Sequence, residues 1–283
     1  MIKKITLFFC FFPFLMVAQD DLLNEIDSVT TVNETVVSAF KSLKIVNLES
    51  TKLASKGDLY FVVAHRFGYF DNGFEDFFGL DEANTRLQFV YGLTNGISIH
   101  ASRSGFQKTY EFAAKYRLLS QKKSGSPFEI VGFNSLAINT ELEKDVLPKL
   151  EFSDRLAYVS QILISRKFNE KLSLEMAPTY FHENYVANNF QENSQFALGF
   201  GGRYKFTKRW SFNMDYAAHL NRASNSVFKN PLSIGFDLET GGHVFQMHFT
   251  NSQAMHESGY LGNTAGSWGE GQIAFGFNLI RVF

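Results

Sequence analysis

The sequence predicts an all-β chain: a transmembrane antiparallel up-and-down β-barrel of about 12 strands with a short N-terminal periplasmic segment. Three observations carry that expectation. Apolar and polar residues alternate over stretches of ten residues or more, the length a tilted strand needs to cross a bilayer. Short and long connections alternate along the chain, as tight periplasmic turns and longer external loops do in membrane barrels. An export signal stands at the N-terminus.

The signal comes first. Lys3 and Lys4 precede an apolar run over residues 5–17, and Ala18 offers a small residue for cleavage. Residues 1–19 therefore read as a secretory signal peptide cut near Ala18–Gln19. About 13 apolar residues are too few to span a ~30 Å hydrocarbon core. Cys10 sits inside that run behind Phe9, where lipoprotein processing needs a small residue. The mature chain thus keeps no cysteine, which excludes a disulfide framework and cysteine zinc patterns.

Residues 20–58 precede the first strand. Residues 20–26 have the pattern of a short helix, and Leu43, Ile45 and Asn47 alternate as in a strand. The segment is too short to build a core of its own. Three placements fit it: hanging in the periplasm, filling the lumen as a plug, or adding a short strand below the rim.

The barrel is expected over residues 59–283. Its strands fall near 59–69, 84–93, 96–104, 108–120, 127–139, 153–168, 171–182, 194–206, 209–220, 231–239, 242–251 and 271–283. In the ninth, Trp210, Phe212, Met214, Tyr216, Ala218 and Leu220 alternate with Ser211, Asn213, Asp215, Ala217 and His219. The fifth and sixth alternate poorly, because Asn134 and Ser160 break the apolar face. Short turns fall near 94–96, 122–126, 169–170, 207–208 and 240–241, and long loops near 70–83, 140–153, 183–193, 221–230 and 251–270. Residues 104–107 make one short outer connection. An even strand count puts both termini on the periplasmic side. A soluble sandwich would show shorter strands and no such regular alternation of connections.

The last strand ends on Phe283, with Phe275, Phe277 and Leu279 before it at odd spacing. That pattern is the assembly signal by which barrels resemble one another to the barrel assembly machinery. The expected partners are that machinery, periplasmic chaperones, the outer-membrane lipid bilayer and a small polar solute. The expected location is the outer membrane of a Gram-negative bacterium. With 27 Lys and Arg against 28 Asp and Glu, and a formal charge of −1, the chain lacks the basic surface of a nucleic-acid binder.

Five short words then stand out: His65-Arg66-Phe67-Gly68, Phe78-Gly79-Leu80-Asp81, Tyr91-Gly92-Leu93-Thr94, Gly241-Gly242-His243-Val244-Phe245-Gln246 and Phe275-Gly276-Phe277-Asn278. Over residues 40–283 the chain resembles a family of uncharacterised outer-membrane β-barrels, a domain of unknown function. The resemblance implies the barrel fold and the outer membrane. It brings no activity and no catalytic residue.

In a membrane barrel the apolar face meets lipid and the polar face meets the lumen. The expected lumen lining is Arg66, Arg86, Glu111, Lys115, Arg117, Glu175, Arg203, Lys205, Asp215, His219, Asp237, Gln246 and His248. Its near balance of charge suits cross-pairing along the wall more than a strongly ion-selective pore. Small residues (Gly92, Gly199, Gly201, Gly235 and Gly276 among them) share that face. Long charged side chains folding over them would close the lumen, or a narrow path would stay open.

Catalysis has one candidate. His100 and Ser102 share a strand face with Ser98, as a serine–histidine pair of an outer-membrane lipid hydrolase would. Alternation turns them toward the lumen, away from lipid, so the chain reads as a non-enzyme with no cofactor. A metal site would need His100, His219 and His248 to meet across strands, or Asp71, Glu75, Asp76, Asp81 and Glu82 of the first loop to hold calcium. That loop reads rather as a solvated one with Phe74, Phe77 and Phe78 packed over the mouth. The functional expectation is a narrow channel for passive or substrate-restricted passage of small polar solutes. The alternative is a non-conducting barrel for binding or scaffolding.

Overall fold

The structure is a computed structural model that describes residues 35–71, 73–186 and 191–283. The expected signal peptide over 1–19 and short helix over 20–26 lie outside the described residues.

Period-two patterning produces 12 strands: β1 (Leu59–Tyr69), β2 (Ala83–Thr94), β3 (Ile97–Ser104), β4 (Tyr110–Leu119), β5 (Glu129–Ile138), β6 (Leu156–Lys167), β7 (Leu172–Glu183), β8 (Ser194–Lys205), β9 (Trp210–His219), β10 (Leu232–Thr240), β11 (His243–Thr250) and β12 (Ala274–Val282). Each pairs antiparallel with its sequence neighbours, and β12 returns to β1, so the sheet closes without an edge. At the seam the Phe283 N–H donates to Leu59 O at 2.9 Å. Closure leaves no strand edge to face lipid, which could not satisfy an edge's N–H and C=O groups.

Alternation sorts the two faces. Phe89, Tyr91, Ile99, Phe112, Phe200 and Met214 are exposed on the outside, while Gln88, Ser98, Glu111, Asn213 and Asp215 are buried inside. Arginine at Met214 is expected to cost roughly 2–4 kcal/mol in reversible refolding, the usual loss for a cation on the lipid face near mid-depth. The sequence alone suggests a much smaller loss at Asn213, where a water-filled lumen would hydrate the charge. The structure corrects this: Asn213 is 1% exposed inside a lumen filled by the chain's own residues. Arginine there should destabilise at least as much as at Met214.

The poor alternation of β5 and β6 has a physical cause. Their inward face is apolar, with Val131, Phe133, Val159 and Leu163 buried. Their outward face carries Asn134 and Ser160, which hydrogen-bond each other, and the Tyr116 hydroxyl donates to Asn134 Oδ1 at 2.8 Å. Polar groups on a lipid-exposed face survive by satisfying one another.

The inward apolar face needs something to bury it. Residues 39–54 run inside the barrel, and a short helix, α1 (Glu257–Gly262), enters from the long loop between β11 and β12. Phe40, Ile45, Leu48 and Leu53 join Val131, Phe133, Leu163, Phe181, Tyr260 and Leu261 in one buried apolar cluster. Residues 35–38 and 55–58 lie at the rim, bonded to the turns that follow β4 and β2.

The outer end differs from expectation. Phe74, Phe77 and Phe78 are 86%, 59% and 39% exposed and do not cover the mouth. All six residues of α1 are buried instead, because Tyr260 and Leu261 complete the apolar cluster that the first loop cannot reach.

Candidate functional site

The filled lumen is organised around one tight turn. The Ile45 N–H donates to Leu48 O at 2.8 Å and the Ser50 N–H to Leu43 O at 3.0 Å. This leaves the N–H groups of Val46, Asn47 and Leu48 converging on one point. Asp215 Oδ2 occupies it, accepting the three bonds at 2.9, 2.7 and 2.9 Å. Successive backbone N–H groups curved this way form an anion-binding nest. Asp215 Oδ1 accepts the Tyr260 hydroxyl at 2.9 Å. One carboxylate on β9 thus holds both the segment from below and α1 from above.

Further wall residues grip the same turn. The Asn47 amide donates to Ser233 Oγ at 3.0 Å and Thr250 Oγ1 at 3.1 Å, and its oxygen accepts Arg66 Nη2 at 2.7 Å. Gln246 Nε2 donates to Ile45 O at 3.0 Å, and Asn278 Nδ2 to Val46 O at 3.2 Å. Arg66 and Gln246 belong to the words His65–Gly68 and Gly241–Gln246. In the first word the outward His65 and Phe67 stack on Phe277 and Phe275, while the inward Arg66 reaches the turn.

The opposite wall holds the chain by charge. Lys115 is 0% exposed; its Nζ donates to Leu43 O at 3.1 Å and Ser50 O at 2.8 Å, and pairs with Glu49 at 2.8 Å. Lys44 pairs with Glu49 at 2.8 Å and also with Glu257 of α1. Burial alone would raise the Glu49 carboxyl, but Lys115 and Lys44 outweigh it and hold the group well below its ordinary range. Burial pushes Glu257 up to about 7 against the pull of Lys44. The Thr51 N–H donates to Glu175 Oε2 at 2.9 Å.

The small residues of the inner wall make the room. A side chain at Gly201 would place its first carbon 2.1 Å from Ile45 Cδ1, one at Gly199 2.9 Å from a Leu48 methyl, and one at Gly92 1.8 Å from Ser55 O. A void of about 20 Å³ remains between the segment and β1–β2, about the room one water needs. Above α1 a cavity of about 190 Å³ opens at the external end, lined by Asn139, Asp154, Glu183, Tyr185, His256 and Asn263 among others.

Of the expected lining residues, Arg66, Arg86, Glu111, Lys115, Glu175, Arg203, Asp215, His219, Asp237, Gln246 and His248 are buried. Arg117 is 31% exposed and pairs with Glu129, and Lys205 is half-buried at the end of β8. Cross-pairing along the wall occurs in Arg86–Glu111 and Arg203–Glu239. Asp215, Glu175 and Lys115 instead serve the segment, which the sequence reading did not foresee. Among the described residues no group of three His, Cys, Asp or Glu side chains is placed to share a metal ion.

These features lie within one sequence family. The family description "Membrane bound beta barrel domain (DUF5777)" matches residues 40–283. The chain belongs to this family of membrane-bound β-barrels. The DUF5777 match begins inside the lumen segment, so the turn on Asp215 is part of the family domain. It makes the outer membrane of a Gram-negative bacterium the chain's location. No curated protein sequence matches the chain. Among solved structures, the NanC porin aligns at 10% identity and TM-score 0.49, covering 79% of this chain and 98% of that one. The KdgM porin aligns at 11% and 0.47, over 80% and 99%. Omp33 of Acinetobacter baumannii aligns at 7% and 0.44, over 81% and 99%.

Proposed function

We propose that the protein is a barrel closed at rest by its own N-terminal segment, which passes small polar solutes only while that segment is out of the lumen. The observation that carries this is the triple N–H cradle of Asp215: a chain held by backbone bonds inside the lumen stands in any path through it. With the segment withdrawn, one arc of wall keeps Arg66, Arg86, Glu111, Lys115, Asp215 and Asp237, a polar and nearly charge-balanced lining.

A non-enzymatic reading is supported by the histidine that could activate a serine. His100 Nε2 lies 3.2 Å from Ser98 Oγ, but Nδ1 faces the Gln88 amide at 3.4 Å and not a carboxylate. A base needs its second nitrogen oriented by an acceptor, and all three residues face inward, away from lipid.

The scaffolding alternative keeps one observation in its favour. The apolar cluster shared by the segment and β5–β7 would meet water on opening, so the closed state is the stable one. Planar-bilayer recordings separate the readings. Wild type should be silent or open rarely, and a variant lacking residues 35–56 should show frequent ohmic steps. Equal conductance in both would mean the segment does not obstruct the path. Silence in both, with the variant shown to be membrane-inserted by heat-modifiable mobility, would favour the scaffold.

A further inference from the structure

On the lipid side of β6–β9 the outward alternation is interrupted at Gly202. The missing side chain leaves a groove of about 510 Å³ walled by Ile164, Leu174, Met176, Phe200, Met214 and Tyr216. The groove lies in the periplasmic half of the barrel, because Leu174, Gly202 and Met214 sit within a few residues of the short turns 168–171 and 206–209. At its foot stands Arg166, whose guanidinium lies 4.8 Å from the Phe168 ring centre and 5.9 Å from that of Phe128. Among the described residues no carboxylate pairs with it. The two rings hold the cation at the foot of the groove.

The charge of the whole chain is sorted along the same axis. The short turns carry Lys122, Lys123, Lys171, Lys208 and Arg209 against Glu170. The first external loop carries Asp71, Glu75, Asp76, Asp81 and Glu82 and no basic residue. A formal charge of −1 therefore conceals a basic periplasmic rim and an acidic outer surface. The rim attracts anionic headgroups over about a Debye length.

We propose that this groove is a site for one anionic glycerophospholipid of the inner leaflet, with an acyl chain over Gly202 and its phosphate on Arg166. An apolar channel fits a hydrocarbon chain and excludes water, and the guanidinium fork matches phosphate oxygens bidentately. The basic rim favours a net negative headgroup over a zwitterionic one. The site lies outside the barrel and does not depend on how the lumen works.

The test is native mass spectrometry of the detergent-solubilised full-length protein, with phosphatidylglycerol and phosphatidylethanolamine as competing probes. Wild type should retain one phosphatidylglycerol under activation that strips other lipid, and at least tenfold less phosphatidylethanolamine. Gly202→Phe, which fills the groove, should lose the adduct; Arg166→Gln, which removes the cation, should reduce retention about tenfold. Arg166→Gln carries the test alone if Gly202→Phe does not assemble. No retained lipid on wild type, equal retention of the two probes, or retention unchanged in Arg166→Gln would overturn the proposal.

Discussion

Replacing Asp215 by alanine is expected to speed amide exchange at Val46, Asn47 and Leu48 by about a hundredfold or more. The carboxylate takes three backbone N–H bonds and the Tyr260 hydroxyl. A hydrogen bond to a charged group is worth about 1.5–3 kcal/mol net. The three are not additive, but a loss of about 3 kcal/mol is the low end, and each 1.4 kcal/mol is tenfold in an equilibrium. The buried N–H groups left behind lose their acceptor, so the turn should leave the wall. The same variant should open more often in a planar bilayer. Asp215→Asn, which keeps the shape and one acceptor oxygen, should fall between. Exchange rates at 46–48 that match wild type would show that this carboxylate does not hold the segment.

The second large effect is expected at Lys115. Lys115→Met keeps the length of the side chain and deletes its bonds to Leu43 O and Ser50 O and its ion pair with Glu49. Breaking a buried pair by removing one partner costs about 3–5 kcal/mol, largely because the surviving charge is stranded. Glu49 retains Lys44, so the loss should sit toward the lower end of that range. Adding Glu49→Gln to Lys115→Met removes the stranded charge, and part of the stability should return. A double-mutant cycle in reversible urea unfolding reads this directly. Simple additivity of the two substitutions would mean the charges do not sense one another.

The wall of this barrel was legible in the sequence and its filling was not, for different reasons. Period-two alternation is a local property, so β9 could be placed from Trp210–Leu220 alone, and each expected strand end lies within three residues of the observed one. What occupies the lumen is a long-range fact. Asp215 reads as one of a nearly balanced set of lining charges, yet its partner is main chain, which leaves no mark in composition. Two signals did point to the occupant. Gly199 and Gly201 alternate on the inner face opposite Leu48 and Ile45, and β5 and β6 carry an apolar face where a water-filled lumen would demand a polar one. The first-loop aromatics misled because hydrophobicity near a mouth says nothing about which loop folds inward.

The nest on Asp215 also constrains the order in which the molecule can be made. Val46 and Asp215 stand 169 residues apart, and Val46 and Asn278 stand 232 apart. The segment is synthesised before any strand, but nearly all the groups that grip its turn arrive with the last four strands. Contacts of such sequence separation are slow to form, since the intervening chain must first give up its freedom. The turn is therefore expected to dock late, once β9–β12 are in place. A substitution such as Gly201→Leu, which sets a side chain against Ile45, should therefore slow docking of the segment more than it delays insertion of the strands.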